Sequence, residues 1–156
     1  MKVPSVSELQ QLISVVPVRA AFGLRDRAIM VLLANTGLRV SELAGLDVFH
    51  VVWQGVFRAF MEVPRAWAKG AHGRTVPLNA NAQKAIRALL AFNRERGFAT
   101  DEGSPLIQDR FHRRIPVRSV QRLIQHYREL AGVSDRITPH KFRHYAEFGI
   151  TPSREF

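Results

Sequence analysis

A short stretch of β-type sequence, residues 51–78, lies between segments of helical periodicity, and this alternation confines the chain to a mostly helical, mixed α/β fold. On its N-terminal side Leu9, Leu12, Ile13 and Val16 recur at helical spacing behind Ser5-Val6-Ser7-Glu8, which reads as a capping box. Ile29, Met30, Leu32 and Leu33 predict a second helix over residues 25–36, closed by Gly37. A third, short helix starts near Arg39 and runs through Val40, Leu43 and Ala44 to Gly45. On the C-terminal side, Ala82, Ala85, Ile86, Leu89, Leu90 and Asn93 predict a helix over residues 81–96 that Gly97 closes. Val120, Leu123, Ile124, Tyr127, Leu130 and Ala131 predict another that stops at Gly132. Thr138-Pro139 then supplies an N-cap and a first-turn proline for a last helix carrying His140, Arg143 and His144.

Within the β-type stretch, residues 56–63, 66–69 and 74–78 read as strands, with Gly70-Ala71-His72-Gly73 as a tight turn, so a small antiparallel three-stranded sheet is expected. Residues 98–116 are polar and irregular around Asp101-Glu102-Gly103-Ser104-Pro105 and read as a loop. A chain of 156 residues is most economically one domain, 1–156, long enough to bury a core without disulfides or structural metal. Cysteine is absent, which excludes thiol catalysis and thiolate zinc sites and fits a cytoplasmic protein. The longest apolar run, residues 28–34, is seven residues, far short of a bilayer span, so no membrane partner is expected.

The formal charge of +10 arises from 23 basic against 13 acidic residues. Only Lys2, Lys69, Lys84 and Lys141 among the basic ones are lysines. The planar arginine fork matches phosphate oxygens, so the bias toward arginine points to a polyanionic partner, with double-stranded DNA foremost. Arg110-Phe111-His112-Arg113-Arg114 is a basic run that reads as a solvated loop able to add phosphate contacts. His50, His72, His112 and His126 show no convergent spacing and read as surface or loop residues.

Three motifs carry chemistry: TGLRVSEL at residues 36–43, WAKGAHGRTVPL at 67–78 and TPHKFRH at 138–144. Their order and spacing are similar to the catalytic domain of the tyrosine recombinases, the phage-integrase and Xer-like family, and the resemblance covers almost the whole chain. It implies the DNA breaking and rejoining fold and DNA integration or site-specific recombination as the activity, with no cofactor. Arg39 and Arg143 then grip the scissile phosphate. In-line attack builds negative charge on the non-bridging oxygens, and preorganised guanidiniums, which keep their protons at neutral pH, lower that barrier most. His140, one turn before Arg143, donates to the same phosphate or shuttles a proton. By resemblance Lys69, beside the hairpin turn, is the general acid that protonates the departing 5′ oxygen. Glu42, three residues after Arg39, is placed to orient an active-site basic group, and Arg74 and His144 join the DNA-contacting set. His140 and His144 stand four residues apart, but Lys141 occupies the place where a zincin needs glutamate, so no metal site is expected.

In this family the nucleophile is a tyrosine some tens of residues beyond the second arginine. Here the sequence runs 13 residues beyond Arg143, to Phe156. Tyr145 is offset by two residues, roughly 200° around a helix from the His140 and Arg143 face, and Tyr127 lies in an apolar stripe and reads as core. No nucleophile is therefore assigned. The expectation is a catalytic domain incomplete at its C-terminus, without the helical domain that precedes it in the family, and incompetent in cleavage. The alternative is a non-catalytic DNA-binding remnant or regulator that occupies recombination sites or pairs with a full-length recombinase protomer.

Overall fold

The computed structural model describes residues 6–63 and 73–133. The described elements are α1 (Val6–Ser14), α2 (Gly23–Thr36), α3 (Val40–Ala44), a single 3₁₀ turn (Val48–His50), β1 (Val52–Trp53), β2 (Val56–Phe57), β3 (Phe60–Val63), β4 (Arg74–Pro77), α4 (Ala80–Glu95) and α5 (Val117–Ala131). The mixed, mostly helical class is as expected. The last helix foreseen from Thr138 lies outside the described residues, as does the strand foreseen over 66–69.

The apolar run at the centre of α2 explains the architecture. Ala28 to Ala34 are all buried, so this helix has no solvent face over two turns and must be covered on every side. α4 packs along it most extensively, and α1 and α5 close other sides. Each large aliphatic side chain removed from water in this way contributes about 1.5–3 kcal/mol before entropy is subtracted. Leu9, Leu12, Ile86, Leu89, Val120 and Ile124 complete the same core. Leu130, read from the sequence as part of the α5 stripe, is 59% exposed instead. Entry into α2 is tight: a Cβ on Gly23 would sit 1.9 Å from the Pro17 carbonyl oxygen, so only glycine fits there.

The three-stranded sheet is replaced by two antiparallel pairs. β1 and β2 form a hairpin with Val52 opposite Phe57 and Trp53 opposite Val56, and β3 pairs with β4 from Phe60 opposite Pro77 to Val63 opposite Arg74. The run read as one strand over residues 56–63 divides at Arg58 and Ala59. The Arg58 amide donates to the Val51 carbonyl, while the Ala59 carbonyl accepts from Leu78, so the two halves serve different partners. Gln54 and Gly55, both at positive φ (51° and 80°), provide the reversal that folds the first half back.

Residues 98–116 contain no helix or strand, yet they are not simply a solvated loop. Leu106, Ile107 and Ile115 are buried, and the Leu106 amide donates to the Leu46 carbonyl at 2.9 Å, which docks the segment on the turn after α3. The Asn93 side chain donates through Nδ2 to the Leu106 carbonyl at 3.0 Å from the buried face of α4. His50 also departs from the surface reading: it is 7% exposed, and its Nδ1 accepts the Asp47 amide at 2.9 Å. Burial lowers its pKa below the ordinary histidine value. His112 and His126 are exposed as read. His72 lies outside the described residues.

Tyr127 is in the core, where its hydroxyl donates to Asp26 Oδ2 at 2.7 Å and ties α5 to α2. Arg25 holds the other carboxylate oxygen at 2.8 Å. Tyr127→Phe removes a hydrogen bond to a buried charge and is expected to cost about 1.5–3 kcal/mol in urea unfolding. An unchanged unfolding midpoint would show that this bond adds nothing to the packing.

Candidate functional site

Gly37, at φ 70°, ends α2 in the left-handed conformation and turns the chain sharply. Leu38 then plugs into the core at 1% exposure, which fixes where Arg39 emerges. Arg39 is the extended N-cap residue of α3, and its amide donates to Glu42 Oε1 at 2.8 Å. A glutamate three residues into a helix, satisfying the N-cap amide, is one half of a capping box and sits favourably at the positive end of the helix.

The Glu42 side chain is 0% exposed. A buried carboxylate needs compensation, and Arg74, the first residue of β4, provides it through two parallel hydrogen bonds: Nη1 to Oε2 at 2.8 Å and Nη2 to Oε1 at 2.7 Å. The Arg39 guanidinium approaches the same carboxylate but stays at 3.8 Å, beyond hydrogen-bond distance. Arg39 and Arg74 side chains are each 31% exposed. Burial alone would raise the Glu42 pKa, but the hydrogen bonds from Arg74 and the Arg39 amide, together with both positive charges, bring it below the usual glutamate range.

At the other end of α3, Arg114 donates to the carbonyls of Ala44 (3.3 Å) and Leu46 (3.1 Å) and pairs with Asp47. The guanidinium thus meets the carbonyl end of the helix, where a cation is favoured. Sequence reading placed Arg114 in a solvated basic run, and nothing local to that run signals the role. Ser41, Gly45, Asp47 and Arg114 line a shallow depression of about 400 Å³ beside α3.

Of the residues singled out from sequence, Arg39, Glu42 and Arg74 are brought together. Lys69, His140, Arg143 and His144 lie outside the described residues. The pairing of Glu42 with Arg74, 32 positions apart, was not legible in the sequence. Among the described residues no group of three or more His, Cys, Asp or Glu side chains is arranged to hold a metal ion, and no helix is long and apolar enough to cross a membrane.

A short helix presenting an arginine at its N-terminus, backed by a buried glutamate, stands within a stretch that matches the model of the phage integrase family over residues 4–149. The chain belongs to the phage integrase family. It is 34% identical over 147 residues to the tyrosine recombinase XerC of Myxococcus xanthus, covering 92% of this chain and 47% of that protein. It is 40% identical over 124 residues to XerC of Pelobacter propionicus, covering 79% and 37%. This family member therefore spans about half the length, or less, of the curated relatives it matches. Among solved structures, the XerA recombinase superposes with a TM-score of 0.72 at 25% identity over 96% of this chain and 51% of that one. The catalytic core of lambda integrase gives 0.61 at 15% identity over 97% and 90%, a likeness of fold. XerH, solved in a post-cleavage complex with a palindromic difH substrate, gives 0.70 at 15% identity over 94% and 41%, again a likeness of fold.

A carboxylate whose folded pKa lies below its unfolded value adds stability above the unfolded value and loses it as pH falls through the folded one. Glu42 is expected to contribute in that sense, so wild-type urea midpoints should fall on acidification below the usual glutamate range. Glu42→Gln should lower stability at neutral pH by about 1–3 kcal/mol and flatten the acid fall. Parallel pH profiles for the two proteins would show that Glu42 does not set it.

Proposed function

We propose that this chain is the DNA-binding catalytic core of a site-specific tyrosine recombinase, in which residues 1–156 act as one catalytic-domain unit. The observation that carries the reading is Arg39, held at the start of α3 with a guanidinium that, among the described residues, makes only a 3.8 Å ion-pair contact with Glu42. A positioned, incompletely paired guanidinium is what a transferring phosphoryl group requires, since the donor must be in place before charge develops. Arg143 and His140 grip the same phosphate, Lys69 protonates the leaving 5′ oxygen, and His144 adds a phosphate contact. The arginine-rich net charge of +10 supports the same partner, double-stranded DNA.

The nucleophile is a separate matter. The sequence has two tyrosines. Tyr127 is buried and donates to Asp26; burial, then that hydrogen bond and the carboxylate's charge, push its phenol pKa well above the ordinary range, so it keeps its proton and is a poor nucleophile. Tyr145 lies outside the described residues; it follows Arg143 by two positions, an offset that on a helix would turn it roughly 200° from His140 and Arg143. On this reading the 156-residue polypeptide by itself binds DNA without cleaving it. Tyr127's commitment to the core also favours a second reading, a non-catalytic protein that occupies recombination sites or pairs with an intact recombinase.

Arg39→Ala and Arg143→Ala are each expected to weaken duplex binding about tenfold and to reduce the salt slope by about one. Unchanged affinity in both at low salt would sink the phosphate assignment. On a nicked suicide duplex the polypeptide alone should give no denaturant-resistant adduct; an adduct would refute the nucleophile argument, and its mapped residue would replace it. Adding a tyrosine-bearing recombinase segment or an intact recombinase separates the two readings. Cleavage that depends on Arg39 supports the catalytic core, and its absence supports the site-occupying protein.

A further inference from the structure

We propose that Arg74 is a positioning residue that acts through Glu42, occupying the buried carboxylate so that the Arg39 guanidinium stays available to a phosphate. The inference rests on the reading of Arg39 as a phosphate ligand and adds to it how that ligand is kept from its own neighbour. Three hydrogen bonds already reach the carboxylate: the Arg39 amide at 2.8 Å and Arg74 Nη2 at 2.7 Å on Oε1, and Arg74 Nη1 at 2.8 Å on Oε2. A carboxylate offers about four lone-pair sites, so little acceptor capacity remains for Arg39. The guanidinium of Arg39 accordingly stands off Oε2 at 3.8 Å.

Removing Arg74 changes this balance in two ways. Glu42, with a side chain 0% exposed, is left as a buried charge without its fork, and such a charge draws in the nearest cation. Arg39 is that cation, and it needs to move only about 1 Å to reach hydrogen-bond distance. The movement neutralises its charge and occupies the donor edge that a phosphate would use. With Arg74 present the trio of Arg39, Glu42 and Arg74 carries one net positive charge; without it the remaining pair carries none. The bond also fastens the first residue of β4 to α3, and Arg74 Nη2 lies 3.5 Å from the carbonyl of Gly37, the residue that turns α2 toward Arg39.

A direct contact between Arg74 and DNA is the competing role, and removing the charge at Glu42's end of the pair separates the two. Duplex affinity and its salt dependence are measured with a fluorescein-labelled duplex for the full chain and for Arg39→Ala, Arg74→Ala, Glu42→Gln and the Arg74→Ala/Glu42→Gln double variant, with urea unfolding of each. Positioning predicts that Arg74→Ala weakens binding about tenfold, as Arg39→Ala does, and lowers the salt slope by about one. It further predicts that Glu42→Gln in the Arg74→Ala background restores most of both, because no carboxylate remains to capture Arg39. If Arg74→Ala does not fold, Arg74→Gln, which still donates a hydrogen bond but carries no charge, takes its place in both single and double variants with the same expected outcome. A double variant as weak as the single one, or an Arg74 variant that binds like wild type while Arg39→Ala is weakened, would overturn the positioning role. Unchanged affinity in Arg39→Ala would instead remove the phosphate reading beneath it.

Discussion

The buried carboxylate of Glu42 is the interaction on which the organisation of this site depends. An ionised carboxylate taken out of water is tolerated only when its lone pairs are satisfied and its charge is opposed. Here the satisfaction comes from two distant parts of the chain: a backbone amide at the start of α3 and the guanidinium of the first residue in β4. A single side chain therefore couples the helix that presents Arg39 to a strand of the β region. Because the contact is charged and bidentate, it fixes orientation as well as distance, which a hydrophobic contact between the same elements would not do.

That coupling rests on a closely packed scaffold. α2 is buried over the length of its apolar run, and its end is defined by three successive features: the Thr36 hydroxyl donating to Leu32 at 2.6 Å, Gly37 in the left-handed region, and Leu38 anchored in the core. The α2 end is also tied to α4, since Asn79 caps α4 through Ala82 and donates to Asn35 near the end of α2. Arg39 thus leaves a turn with no slack. Preorganisation of this kind lowers a barrier because the donor does not have to be moved into place when charge appears.

What was legible in the sequence follows from how local each signal is. The helices were readable because apolar periodicity, Gly37, Gly97 and Gly132 are local and mutually consistent, and the observed limits of α2, α4 and α5 lie close to those expectations. The sheet was not, because β-type residues at 56–63 do not say which half pairs with what. That choice was made by the Gln54-Gly55 reversal and by acceptors at Val51 and Ala59. The buried parts of residues 98–116 were hidden for the same reason: Leu106, Ile107 and Ile115 are isolated apolar positions in a polar stretch, and only the turn after α3 gives them somewhere to go. At the site, Arg39 was read as a phosphate ligand and Glu42, three residues later, as the organiser of a basic group, whereas Arg74 was read as a DNA contact and not as Glu42's partner. Its partner lies 32 residues away, and no periodicity connects them.

Three charge pairs show what arginine supplies in this fold that lysine would not. Asp26, Glu42 and Asp47 are each paired with an arginine at or near the core: Arg25, Arg74 and Arg114 respectively. In each case the guanidinium does more than neutralise. Arg25 also donates to the Gln108 carbonyl and lies 4.4 Å from the Phe22 ring centroid, and Arg114 also collects carbonyls at the end of α3. A lysine ammonium at these positions would supply the charge without the planar fork that serves several acceptors at once. These internal pairs consume acidic residues, of which there are only 13 against 23 basic ones, so each pair formed leaves the positive excess to the rest of the surface. The same side-chain chemistry that lets the fold tolerate buried carboxylates thus leaves the formal excess of ten positive charges untouched, because each pair removes one charge of either sign.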